Sequence, residues 1–140
     1  MKRLFFGMVG ALLVFAARAE LFKDGETVCF LGDSITHGGR FHSYVYDYYL
    51  TRFPDRTVRF VNAGISGDSA GGAQGRLADD VIGKRPAAVA VMFGMNDVAR
   101  GLYVAEPSEQ QRAGQQRALE NFRANMERLT ARLKAEAGEP

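Results

Sequence analysis

Three short apolar runs, each ending in a loop of glycine, asparagine and aspartate, constrain this 140-residue chain more than any other feature. Val28 to Leu31 breaks into Gly32-Asp33-Ser34. Val58 to Val61 gives way to Asn62-Ala63-Gly64-Ile65-Ser66-Gly67-Asp68-Ser69, and Ala87 to Phe93 to Gly94-Met95-Asn96-Asp97. Apolar runs this short, bounded by turn residues, read as buried strands. Between them the spacing turns helical: Tyr44, Val45, Tyr48 and Tyr49 lie within 41–53, which ends at Pro54-Asp55. Leu77, Val81 and Ile82 then precede Lys84-Arg85-Pro86, a helix stop. Ser108-Glu109-Gln110-Gln111 has the form of a capping box. The long helix that follows carries Leu119, Phe122, Met126, Leu129 and Leu133 on one face, and Gly138-Glu139-Pro140 is its stop. That face reads as ordinary sheet cover, and the tyrosines as core packing, with the lining of an acyl or sugar pocket as their other role.

Strand and helix alternating three times predict an α/β fold, three-layer α/β/α, with right-handed crossovers and a parallel sheet. In such a sheet every loop that follows a strand lies at the same carboxyl edge, where ligands gather. The polar groups of the three loops therefore converge. Ser34 would sit at the head of a helix, its N–H among the unpaired donors of the helix N-terminus and free to face a developing oxyanion. Local hydrogen bonding alone also favours Asp and Ser at a strand-to-helix turn, and Asn and Asp after a strand.

The three blocks resemble those of the GDSL-like lipases and esterases, the SGNH hydrolase superfamily. Gly-Asp-Ser at 32–34 is similar to the first block, Gly64-Ile65-Ser66-Gly67 to the second and Gly94-Met95-Asn96-Asp97 to the third, in the family's order. The resemblance implies a flavodoxin-like sheet, Ser34 as acyl acceptor, and an oxyanion hole made by the N–H groups of Ser34 and Gly67 and the side-chain amide of Asn96. A glycine at 67 keeps a side chain from holding substrate away from its N–H. An asparagine at 96 donates without titrating. The family's Asp-x-x-His block, which supplies the general base, has no match. The histidines are His37 and His42 alone, and His37 follows Ser34 by one helical turn, poorly placed to take its proton. Both are expected at a pocket rim or the surface.

The expected protein is thus a serine hydrolase of carboxylic or acetyl esters, small-molecule or polysaccharide. The chain reads as truncated after about three strands, before a fourth strand and the histidine, and so as inactive by itself. Its third strand would then expose an edge and make residues 20–140 prone to association. The alternative is a secreted carbohydrate- or acyl-binding module that keeps the pocket without the chemistry.

Lys2 and Arg3 precede an apolar run from Leu4 to Ala17, and Ala17-Arg18-Ala19 is a small-x-small cleavage pattern. Residues 1–19 therefore read as a signal peptide cleaved after Ala19, residues 20–140 as an esterase domain, and the protein as secreted or periplasmic with no stable membrane anchor. Those 19 residues hold three of the 18 lysines and arginines and none of the 16 acids, so the +2 charge becomes −1 without them. No nucleic-acid partner follows from such a balance. Cys29 has no partner cysteine and is expected buried in the first strand. No cofactor is implied, and no side-chain cluster has metal-ligand spacing. The Gly71-Gly72-x-x-Gly75 run lacks the Lys-Ser/Thr of a phosphate loop.

Overall fold

The computed structural model describes residues 22–137. The segment read as a signal peptide and the Gly138-Glu139-Pro140 stop lie outside the described residues. Strand β1 (Thr27–Gly32) is followed by a one-turn helix α1 (Ser34–His37) and by α2 (Arg40–Arg52). Strand β2 (Arg59–Gly64) leads through a 3-10 turn at Gly72–Gly75 into the short helix α3 (Leu77–Asp80) and a second 3-10 turn at Ile82–Lys84. Strand β3 (Ala88–Met92), a further 3-10 turn and the 28-residue helix α4 (Glu109–Glu136) complete the order.

All three strands are parallel, in the order β2-β1-β3, with Gly32 opposite both Gly64 and Met92. β1 is central and wholly buried. Its side chains alternate between the two faces, as the pleat requires. On one face Phe30 packs edge-on to Phe41 of α2 and beside Phe60 of β2, and His42 stacks on Phe30 with ring centroids 4.9 Å apart. On the other, Cys29 and Leu31 join Ala63, Leu77, Val81, Leu129 and Leu133 in the main core, with Val89, Val91 and Met126 against it. Helices thus cover both faces, giving the expected three-layer α/β/α arrangement. Burial also pushes the Cys29 thiol up, against the opposing pull of Arg59 and Lys84.

The capping box closes as the spacing predicts: Ser108 Oγ accepts from Gln111 N–H and the Gln111 side chain accepts from Ser108 N–H. Three expectations need correction. The helix expected around Leu77, Val81 and Ile82 is broken, because Val81 leaves helical geometry (φ −125°) and Gly83 favours no helix. Of the tyrosines on α2 only Tyr49 is core; Tyr44 and Tyr48 are exposed, since α2 covers β1 and β2 with one face only. Leu119 is exposed too, because α4 meets the sheet through its C-terminal half, where Leu129 and Leu133 are buried.

Candidate active site

The site begins at the end of β1. Asp33 caps α1, its Oδ1 accepting from Ile35 N–H at 3.0 Å, and is itself buried. Ser34 is the first helical residue and is exposed. α1 lies directly on the sheet end: a Cβ at Gly32 would come within 2.1 Å of Thr36 Oγ1, and one at Gly64 within 2.2 Å of His37 N. Two glycines paired across the β1–β2 ladder therefore let the turn that carries Ser34 sit flat on the carboxyl edge.

The second loop follows β2. Gly67 has φ +81°, a left-handed conformation that glycine adopts without strain, while a Cβ there would meet nothing within 4 Å. The backbone thus gives a reason for glycine at 67 that the sequence did not show. Among the described residues neither the Ser34 nor the Gly67 N–H is taken up by a protein acceptor.

The third loop is tied to the second twice. Asn96 Nδ2 donates to the Asp68 carbonyl at 2.8 Å. Asp97 accepts from Ala70 N–H at 2.9 Å through Oδ1 and from Gly94 N–H at 3.1 Å through Oδ2. A primary amide has two N–H bonds, so Asn96 keeps a second donor after serving Asp68. The three loops of the sequence motifs therefore meet at one edge, with Ser34, Gly67 and Asn96 on them.

Neither histidine stands as a free base. His42 Nε2 lies 3.1 Å from the Thr36 carbonyl, which fixes it as a donor, and its partly buried ring is stacked on Phe30. His37 is exposed, as expected, and its Nδ1 accepts from Ser66 N–H at 3.2 Å. Among the described residues no three His, Cys, Asp or Glu side chains gather to hold a metal ion.

One residue at the centre of this network lies outside every motif. Arg76, at the head of α3, reaches Asp68 Oδ2 from Nε and Nη2 (2.8 and 2.7 Å), and donates from Nη1 to the Ala63 carbonyl at 2.8 Å and to Asp80 Oδ2 at 2.9 Å. Its Nη2 also approaches the Gly32 carbonyl at 3.3 Å. The guanidinium and Asp68 are both largely buried. The glycine run just before it, without the Lys-Ser/Thr of a phosphate loop, forms the 3-10 turn that delivers this arginine.

The sequence model of the GDSL-like Lipase/Acylhydrolase family matches residues 30–140, which takes in all three loops. The chain belongs to that family. An acetylxylan esterase of Geobacillus stearothermophilus is 35% identical to this member over 92 residues, covering 55% of this chain and 42% of the relative. The crystal structure of Axe2, an acetylxylan esterase from the same organism, superposes with a TM-score of 0.65 at 29% identity, over 81% of this chain and 57% of that one. A gut microbial diltiazem-metabolizing enzyme superposes with a TM-score of 0.71 at 37% identity, over 81% of this chain but 25% of its own. The chain thus spans about half the length, or less, of these relatives. Catalytic mutants of Axe2 have been solved with alanine in place of a serine, an aspartate and a histidine. No helix among the described residues is long and apolar enough to cross a membrane.

Proposed function

We propose that this chain carries the nucleophile and the oxyanion donors of an exported serine esterase. Ser34 Oγ attacks the ester carbonyl carbon, and the oxyanion is held by the N–H groups of Ser34 and Gly67 and the free N–H of Asn96. Collapse of that intermediate expels the alcohol, which takes the serine proton back from the general base. Water, deprotonated by the same base, then attacks the acyl-serine carbonyl, and collapse releases the acid as the base returns that proton to the leaving Ser34 Oγ. The observation that carries this reading is the Asn96–Asp68 bond, which ties the third loop to the second beside Gly67 and leaves one amide proton unspent. The oxyanion donors are then arranged before substrate arrives, the condition under which such donors contribute most.

This reading requires a general base other than the engaged His37 and His42; the relatives extend beyond the stretch this chain spans, and catalytic mutants of Axe2 include replacements of an aspartate and a histidine. Without one, only the residual catalysis of binding and oxyanion contacts remains. The acetylxylan esterases among the relatives support acetyl esters on carbohydrate as the substrate class. Export rests on the basic, apolar and small-x-small pattern of residues 1–19.

The test is labelling of the full-length gene product by a fluorophosphonate probe, with p-nitrophenyl acetate turnover measured alongside. Labelling and turnover that both disappear in Ser34→Ala support the esterase. The engagement of both histidines favours a second reading, a binding module without chemistry. Binding of acetylated xylo-oligosaccharide with no labelling would establish that module and refute the esterase.

A further inference from the structure

We propose that Arg76 is a positioning residue of the acyl-transfer site, orienting the Asn96 amide through Asp68. This rests on the esterase reading above. Its geometry is a relay of three contacts. The guanidinium donates from Nε to Asp68 Oδ2 at 2.8 Å, and its Nη2 lies 2.7 Å from the same oxygen as an ion-pair contact. The other oxygen, Oδ1, accepts from Ser69 N–H at 2.8 Å, and lies so near Gly72 that a Cβ there would come within 2.2 Å of it. The Asp68 side chain is therefore fixed on all sides. Its backbone carbonyl then accepts one Asn96 N–H at 2.8 Å, which sets where the second N–H points.

The same guanidinium reads the ends of two strands. It donates to the Ala63 carbonyl of β2 at 2.8 Å and approaches the Gly32 carbonyl of β1, two residues before Ser34, at 3.3 Å. One planar group thus references the nucleophile's strand, the glycine loop's strand and the aspartate that holds Asn96. Only a fork of donors in fixed directions reaches acceptors so distributed. A lysine, one compact ammonium on a flexible stem, keeps the charge and loses that geometry. Asp80, 2.9 Å from Nη1, completes the neutralisation of the cation.

Arg76→Lys separates positioning from charge. In the full-length gene product, turnover of p-nitrophenyl acetate should fall about 10–100-fold in kcat, the scale on which small misplacements of catalytic groups act, with KM within about threefold. Because the effect runs through Asn96, the same change made in an Asn96→Ala background should cost less than about threefold, the two losses being strongly non-additive. A structural role alone would give similar losses in both backgrounds, and that result overturns the proposal, as does unchanged kcat. A second readout needs no turnover. In ¹⁵N-labelled protein the Asn96 proton bonded to Asp68 should exchange slowly in the parent and at least about tenfold faster in Arg76→Lys; equal exchange overturns the proposal.

Should Arg76→Lys fail to fold, Asp68→Asn answers the same question, since it keeps the residue 68 carbonyl and the Arg76 contacts to Gly32 and Ala63. Ser34→Ala keeps the two failures distinct. Turnover that survives Ser34→Ala refutes the esterase reading and this inference with it. Turnover lost in Ser34→Ala and intact in Arg76→Lys refutes the inference alone.

Discussion

Adding one methyl group at Gly64 should both destabilise the fold and disable the site. A Cβ there would lie 2.2 Å from His37 N, 2.6 Å from Thr36 C and 2.8 Å from His37 Cα, where ordinary contacts begin at 3.4 Å. All three are backbone atoms, so no change of rotamer opens the space. Either α1 retreats by more than an ångström or the last β1–β2 rung opens. Overpacking of this kind typically costs about 1–3 kcal/mol, and a collision with backbone belongs at the upper end. For a domain of this size about 3 kcal/mol lowers Tm by roughly 10–15 °C. Because Ser34 is the first residue of α1, an ångström of retreat should also cost about 10² in turnover.

Gly67→Ala is the internal comparison. Its Cβ meets nothing within 4 Å, and only the φ of +81° opposes it, a strain of about 1–2 kcal/mol. Thermal melts of both variants of the full-length product, followed by circular dichroism and paired with p-nitrophenyl acetate kinetics, rank the two mechanisms. A Gly64→Ala protein that melts within about 2 °C of the parent, or above Gly67→Ala, would refute the close approach of α1 to the sheet.

Asn96→Ala should lower kcat by about 10²–10³ while the far-ultraviolet spectrum stays native; unchanged turnover removes Asn96 from the oxyanion hole. Thr36 Oγ1 is fully buried and without a partner among the described residues, so Thr36→Val should raise stability by about 1 kcal/mol; a loss in urea titration would show that the hydroxyl is bonded. Cys29 is buried, and its thiol is pushed up mainly by that burial. The unfolded thiol therefore ionises first as pH rises past about 8.5, and stability that is complete below that pH declines through the folded-state value. Cys29→Ala should flatten this alkaline decline, and an unchanged slope would contradict the assignment. Residues 20–140 alone should associate through the free edge of β3, and Ala90→Lys, at an exposed position on that strand, should reduce the association measured by sedimentation. A monomeric, sharply melting parent would be the contrary result.

The strands were legible because burial writes itself as apolar runs, and the loops because Gly, Asn and Asp punctuate them. β2 nonetheless continues through Asn62, Ala63 and Gly64, since pairing with Phe30, Leu31 and Gly32 is a backbone matter that side-chain polarity does not report. The break at Val81 was equally hidden: Leu77 and Val81 are both fully buried, and tertiary packing decides where that segment turns. Ser34, Gly67 and Asn96 stood out through their blocks, whereas Arg76 did not. Its partners are carbonyls and an aspartate on three other segments, contacts that follow from folding rather than from spacing.

The described residues hold the parts of the site that a parallel sheet supplies almost unaided. Two backbone N–H groups and one amide, delivered by adjacent loops, need only correct backbone geometry and a few bonds between loops. None of these three donors titrates, so in the proposed esterase oxyanion stabilisation should stay constant across ordinary pH. A base must instead approach Ser34 from outside these loops, because His42 is turned into the sheet and His37 Nδ1 is spent on Ser66. If the proposed esterase reading holds, the pH dependence of kcat/KM should follow that base, with one ascending limb unmoved in midpoint by Asn96→Ala even as its height collapses.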